Sequence, residues 1–212
     1  MTSQNIVNSL DKILTWIMRL VLVNVLWVLY TMLGLIVGGI FPATIAALKI
    51  FRKWTMGDLD VSIRKTFKQE YREEFINANI VGWILTIAGA VLYTNYLAIK
   101  SMGDINIIFS VAFYLLILFY VNLVIWSFPQ LAHYNGNIAH FFRNAIIIGF
   151  GQLHYTIAIG MYLFIVLYFS LKFPGLLPFF TISIAAYGWI RLSMNLFQKN
   201  DQKMTKPLLV EG

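Results

Sequence analysis

Five uninterrupted apolar runs dominate this chain, at about residues 20–40, 78–97, 105–128, 145–171 and 176–192. Runs of this length can cross hydrocarbon, where only helices and closed barrels satisfy every backbone amide. The runs are solid rather than alternating, which excludes a barrel. Charged residues make up 12% of the chain, about half the level of a soluble domain. The expected fold is an all-α integral membrane protein, a bundle of five transmembrane helices forming a single membrane domain over 1–212. A cytoplasmic segment over 42–76 is expected to carry two amphipathic helices, and a polar tail to follow over 193–212.

Basic residues set the expected orientation. Lys49, Arg52, Lys53, Arg64, Lys65, Lys68 and Arg72 lie between the first two runs, Arg143 between the third and fourth, and Arg191, Lys199, Lys203 and Lys206 in the tail. These are twelve of the 16 basic residues; Lys12, Arg19, Lys100 and Lys172 fall on the other side or at its edge. An excess of Lys and Arg marks the cytoplasmic side, so the C-terminus is expected inside and the N-terminus outside. Residues 6–18 are amphipathic and also suit the membrane interface. Bringing Arg19 to the cytoplasmic side would need a further return of the chain, which no apolar run supplies. The N-terminus lacks a short apolar core followed by a small-residue cleavage site, so the first run is expected to serve as the insertion signal.

The stretch "GGIFPATIAALKIFRKW" closes the first run. Gly34 and Gly38, four apart, offer a face that lets another helix approach closely. Pro42 suits the first turn of a new helix, where its missing N–H costs nothing. On that helix Ala47, Leu48, Ile50, Phe51 and Trp54 share one side, and Lys49, Arg52 and Lys53 the other. This pattern predicts a helix lying on the membrane surface, with Lys49, Arg52, Lys53 and Trp54 docked to anionic headgroups or to a partner. A buried, basic-capped extension of the first span is the alternative. Gly57-Asp58 marks a turn, and Ile63, Phe67, Tyr71 and Phe75 then recur every four residues, predicting a second amphipathic helix that leads into the next span.

These residues carry a family resemblance. Asn24, Trp27, Gly34, the Pro42-Ala43-Thr44 turn, Arg52-Lys53-Trp54, Gly57 and the aromatic helix ending at Phe75 resemble the YesL family of small bacterial membrane proteins, a domain of unknown function. The likeness is carried by residues 10–80 and extends to the rest by span count and size. It implies a bacterial cell membrane location and, through the genes that neighbour this family, an accessory role in carbohydrate uptake or utilisation beside a sugar transporter complex. It supplies no catalytic residues.

Chemistry is sparse elsewhere. Cysteine is absent, which excludes disulfides, thiolate metal sites and cysteine nucleophiles. None of the nine acids falls inside an apolar run, which weighs against autonomous ion-coupled transport. Glu73 and Glu74 are expected on a solvated helix face. His133 and His140 are seven apart, but Pro129 and Asn135-Gly136 predict a break near them, and no carboxylate or third ligand completes a metal site. Gly149, Gly151 and Gly160 interrupt the fourth run, and Pro174 and Pro178 open the fifth. Asn24, Asn122, Gln152 and His154 are polar within the runs; each needs a partner there, through interhelical hydrogen bonds or as the lining of a small polar pocket. Phosphate-binding, nucleophile-elbow and zinc-protease motifs are all missing. The net charge of +7 follows from the cytoplasmic loops, so no nucleic-acid partner is implied. The expectation is a non-catalytic, cofactor-free membrane protein whose partners are the lipid bilayer and possible accessory contacts with a transporter. A small-molecule transporter with a polar midplane site is the alternative.

Overall fold

The computed structural model describes residues 3–101, 107–134 and 136–208, with side chains over 7–101, 107–134, 136–199 and 201. Asp104, Asn135, Glu211 and the expected start of the third span at 105 lie outside them. Every regular element among the described residues is helical: α1 (Ser3–Leu33), α2 (Ile40–Thr55), α3 (Ile63–Glu73), α4 (Phe75–Ser101), α5 (Ile107–His133), α6 (Ile138–Gly151), α7 (Leu153–Lys172) and α8 (Ile182–Leu208). A 3₁₀ turn, Pro174–Leu176, and a π-helical segment, Leu177–Thr181, join α7 to α8. Five stretches are long and apolar enough to cross a membrane: Val7–Leu33, Phe75–Ser101, Ile107–His133, Leu153–Lys172 and Pro174–Lys199. Their outward residues, among them Ile87, Val91, Leu115, Ile157 and Phe164, are exposed apolar side chains. Such a surface belongs in lipid, and the chain is a multi-pass membrane protein.

α2 sits at the centre. It touches α1, α3, α4, α5 and α8, and its Ala43, Ala46 and Ala47 are wholly buried. Three small residues on a short helix let several neighbours come close. The expected surface helix is therefore corrected: α2 is buried, as the alternative had it, but it folds back into the bundle instead of extending the first span. The turn over 34–39 reverses the chain, so α2 runs antiparallel to α1. Trp27 Nε1 donates to Thr44 Oγ1 at 3.0 Å, and the rings of Trp16 and Trp54 meet at 5.4 Å.

That turn is tightly made. Leu35 N–H bonds to Met32 O and Ile36 N–H to Thr31 O, the paired pattern of a Schellman helix end. Leu35 and Ile36 both have positive φ, at 55° and 65°, in a region that favours glycine. Gly34 and Gly38 lie in this turn, not on a helix face: a Cβ on Gly34 would strike Gly39 and the Tyr71 hydroxyl. Pro42 falls in the first turn of α2, as expected.

Two further boundaries differ from expectation. The run over 145–171 is not one helix, because α6 ends at Gly151 and Gln152 adopts φ −137° and ψ 51° before α7 begins. The residues over 193–208 continue α8 as helix. α5 runs through Pro129, and His133 and His140 then fall on separate helices.

Candidate functional site

The polar residues of the bundle collect into three clusters. At the first, Asn24 of α1 is fully buried against the π-helical segment. Its Nδ2 donates to the carbonyls of Leu177 (3.3 Å) and Pro178 (2.7 Å), and its Oδ1 accepts from the N–H groups of Ile182 (3.0 Å) and Ser183 (3.2 Å). A π-helical turn and a proline leave backbone groups without regular partners, and one amide satisfies four of them.

The second cluster joins α5 to the α6–α7 break. Trp126 Nε1 donates to Thr156 Oγ1 at 2.9 Å, and that hydroxyl faces Asn122 Oδ1 and the Gly149 carbonyl, each at 3.2 Å. A side chain at Gly149 would run into Asn122. Gln152 is half-buried in the break and His154 is exposed beside Tyr155. The structure therefore does not bring Asn24, Asn122, Gln152 and His154 into one pocket: Asn24 and Asn122 are held by separate backbone and side-chain partners, and His154 faces outward.

The third cluster is ionic and joins α2, α3, α5 and α8. Lys49 Nζ lies 2.9 Å from Glu70 and 2.7 Å from Glu74, and Lys53 Nζ lies 3.0 Å from Glu70. Burial alone would push Lys49 down, but its bonds and attraction to Glu74 and Glu70 hold it above its usual range. Burial alone would raise Glu70, and the two lysines overcome that and hold it below its usual range. Arg52 Nε donates to His133 Nδ1 at 2.7 Å. The other ring nitrogen of His133 faces Asp201 at 3.6 Å, and Tyr134 donates to Asp201 at 3.1 Å. Burial and the charge of Asp201 push the Tyr134 phenol up to about 12.

This cluster revises two expectations. Lys49, Arg52 and Lys53 do not form a free headgroup-facing row, because carboxylates of α3 and a histidine of α5 engage them. Trp54 is buried between Trp16 and Phe51 rather than lying in the interface. Of the two acids expected on a solvated face, Glu73 is exposed, but Glu74 is half-buried and paired with Lys49, and Glu70 beside them is buried. The signal was present in the spacing: Glu70 and Glu74 share the inner stripe with Phe67 and Tyr71, a place where a free acid would be costly. Beside this network Gln130 is wholly buried, and neither atom of its amide has a partner among the described residues.

The family model described as "Protein of unknown function, DUF624" matches residues 20–96, the stretch holding the α1–α2 turn and the ionic pairing of α2 with α3. The chain is 32% identical over 193 residues to the uncharacterized protein YteU of Bacillus subtilis (strain 168), covering 91% of this chain and 86% of that one. It is 28% identical over 205 residues to the uncharacterized protein YesL of the same organism, covering 95% and 96%. The chain belongs to this DUF624 family of YesL-like proteins. No solved structure matches it.

Proposed function

We propose that this DUF624 protein is a non-catalytic membrane component that acts by holding a partner protein, with carbohydrate-uptake machinery as the partner class that the family resemblance implies. One observation carries the reading: α3 is pinned inward by Glu70, Phe67 and Tyr71, while Lys65, Lys68 and Arg72 stand exposed on its outer side. A rigid helix presenting cations at three- and four-residue spacing suits an acidic protein surface. Purification in mild detergent tests this. A stoichiometric partner should accompany the native chain and be lost from the K65E/K68E/R72E variant, whose yield and melting are otherwise unchanged. Full retention by that variant would sink the reading.

A second reading, a small-molecule transporter, draws on Gln130, whose buried amide has no partner among the described residues. Solute uptake by the protein alone in liposomes, abolished in Gln130→Leu, would support it over the accessory role.

For orientation we infer that α1 and α2 form a hairpin entering and leaving the membrane on the cytoplasmic side. From Arg19 to Leu33 α1 rises only about 21 Å, short of the roughly 30 Å hydrocarbon core. Arg19 lies over the ring of Trp54 at 6.0 Å, next to the cations of α2. In the turn, Leu35, Ile36 and Val37 are exposed, and each N–H from Gly34 to Ile40 is donated to a chain carbonyl, as hydrocarbon requires. Asn79 adds a bond to the Gly38 carbonyl at 3.0 Å. Both termini then lie in the cytoplasm, and of the 16 basic residues only Lys100 and Lys172 face outward. On this reading the turn over 34–39 is the return of the chain that the sequence pattern lacked, and the N-terminus lies inside where the sequence pattern had it outside.

A further inference from the structure

A groove of about 530 Å³ runs along α1, lined from Thr15 to Val25, and Arg19 of α1 and Arg64 of α3 both border it. Its wall is apolar: Met18, Val21, Leu22 and Val25 recur at three- and four-residue spacing, one face of the helix. Among the described residues, neither arginine forms an ion pair. Arg19 makes its one ring contact with Trp54, and Arg64 is exposed. Two guanidinium groups, each with five N–H donors, therefore border an apolar groove, and no carboxylate among the described residues pairs with either.

We propose that this groove binds an anionic phospholipid, with its phosphate held between Arg19 and Arg64 and one acyl chain laid along Met18, Val21, Leu22 and Val25. The lining sets two cations beside an aliphatic wall, as a lipid sets a charged head beside its tails. Guanidinium favours phosphate through paired N–H···O bonds, while the aliphatic wall offers nothing to a free ion. Depth agrees as well. α3 is polar on its outer side and belongs at the headgroups, so Arg64 fixes the level of the charged end, and the wall leads from there towards the exposed apolar turn at Leu35–Val37. The inference is independent of the partner reading, which uses Lys65, Lys68 and Arg72.

The test is native mass spectrometry of the full chain in mild detergent, titrated with dioleoylphosphatidylglycerol or dioleoylphosphatidylcholine. Phosphatidylglycerol should bind preferentially. At roughly the membrane attraction of one basic residue per arginine, the R19Q/R64Q double variant should bind it about 30-fold more weakly. Met18→Trp keeps both charges but fills the groove, and it too should weaken phosphatidylglycerol binding while circular dichroism and melting stay native. That variant decides the matter should the double variant fail to fold. Millimolar inorganic phosphate should leave the bound lipid in place. Equal binding of the two lipids, undiminished binding in Met18→Trp, or displacement by phosphate alone would overturn the proposal. So would an acidic protein, rather than lipid, lost from R19Q/R64Q.

Discussion

The indole N–H of Trp189 donates to the carbonyl of Ile125 at 2.8 Å, and Ile125 is the residue whose helical partner is missing. Four residues on stands Pro129, which has no N–H to give. A buried helix of α5 thus carries a proline because α8 supplies the absent donor. Trp189→Phe keeps the ring packing against Phe128 and removes only the donor. It should lower stability by about 1–2 kcal/mol, read as a fall in melting temperature in detergent. An unchanged melt would mean that water already serves Ile125.

Asn24 should be costlier to lose. Asn24→Leu has similar size but abandons two carbonyls and two N–H groups of the π-helical junction. A loss of about 2–4 kcal/mol is expected. The accompanying sign would be faster proteolysis between α7 and α8, measured by limited digestion and mass analysis.

Leu35 offers a change in the opposite direction. Its side chain is 85% exposed and its φ is 55°, so glycine at this position removes a left-handed backbone penalty of about 1 kcal/mol. Leu35→Gly should raise the melting temperature in detergent. Ile36→Gly, at φ 65°, should act in the same direction.

Much of this architecture was legible because lipid imposes simple rules. The apolar runs, the new helix near Pro42 and the turn at Gly57 each follow from one local property of a few residues. The place of α2 did not, for a physical reason. A helical wheel separates Lys49 and Lys53 from Ala47 and Leu48 whether the cations meet water, headgroups or carboxylates. Their partners Glu70 and Glu74 lie 17 to 25 residues on, beyond the reach of any local pattern. The supposed pocket failed similarly. Asn24 and Asn122 needed partners, but composition does not tell which helix supplies them, and Thr156 and the backbone near Pro178 are remote from them in sequence. The break at Gln152 carried no proline, and only Gly149 and Gly151 hinted at it.

The Lys49–Glu70 pair makes stability depend on pH at both extremes. Glu70 is held below its ordinary value of 4.5, so its contribution is complete above about pH 4.5 and is lost as pH falls through the folded value. Lys49 is held above its ordinary 10.5, so its contribution is complete below about pH 10.5 and is lost as pH rises through its folded value. The contribution of the Lys49–Glu70 pair to the melting temperature should be flat between these limits. The gap between the native chain and Glu70→Gln should close as pH falls below about 4.5. A gap that persists under acid conditions would show that Glu70 acts through packing rather than charge.

The hairpin reading of α1 and α2 has a direct readout, since the chain has no cysteine of its own. Ser9 lies on α1 ahead of Lys12, Ser62 just before α3, and Ser101 at the end of α4. If α1 and α2 enter and leave on the cytoplasmic side, single cysteines at Ser9 and Ser62 should both be shielded from an impermeant maleimide in intact cells. A cysteine at Ser101 should be labelled, and all three should react once the membrane is permeabilised. Labelling at both Ser9 and Ser101 would mean that α1 crosses fully. Arg19 would then lie within the hydrocarbon, with the Trp54 ring it lies over. That arrangement would cost several kcal/mol for the buried charge. Shielding of Ser9 is therefore the outcome expected from the place of Arg19 on α1.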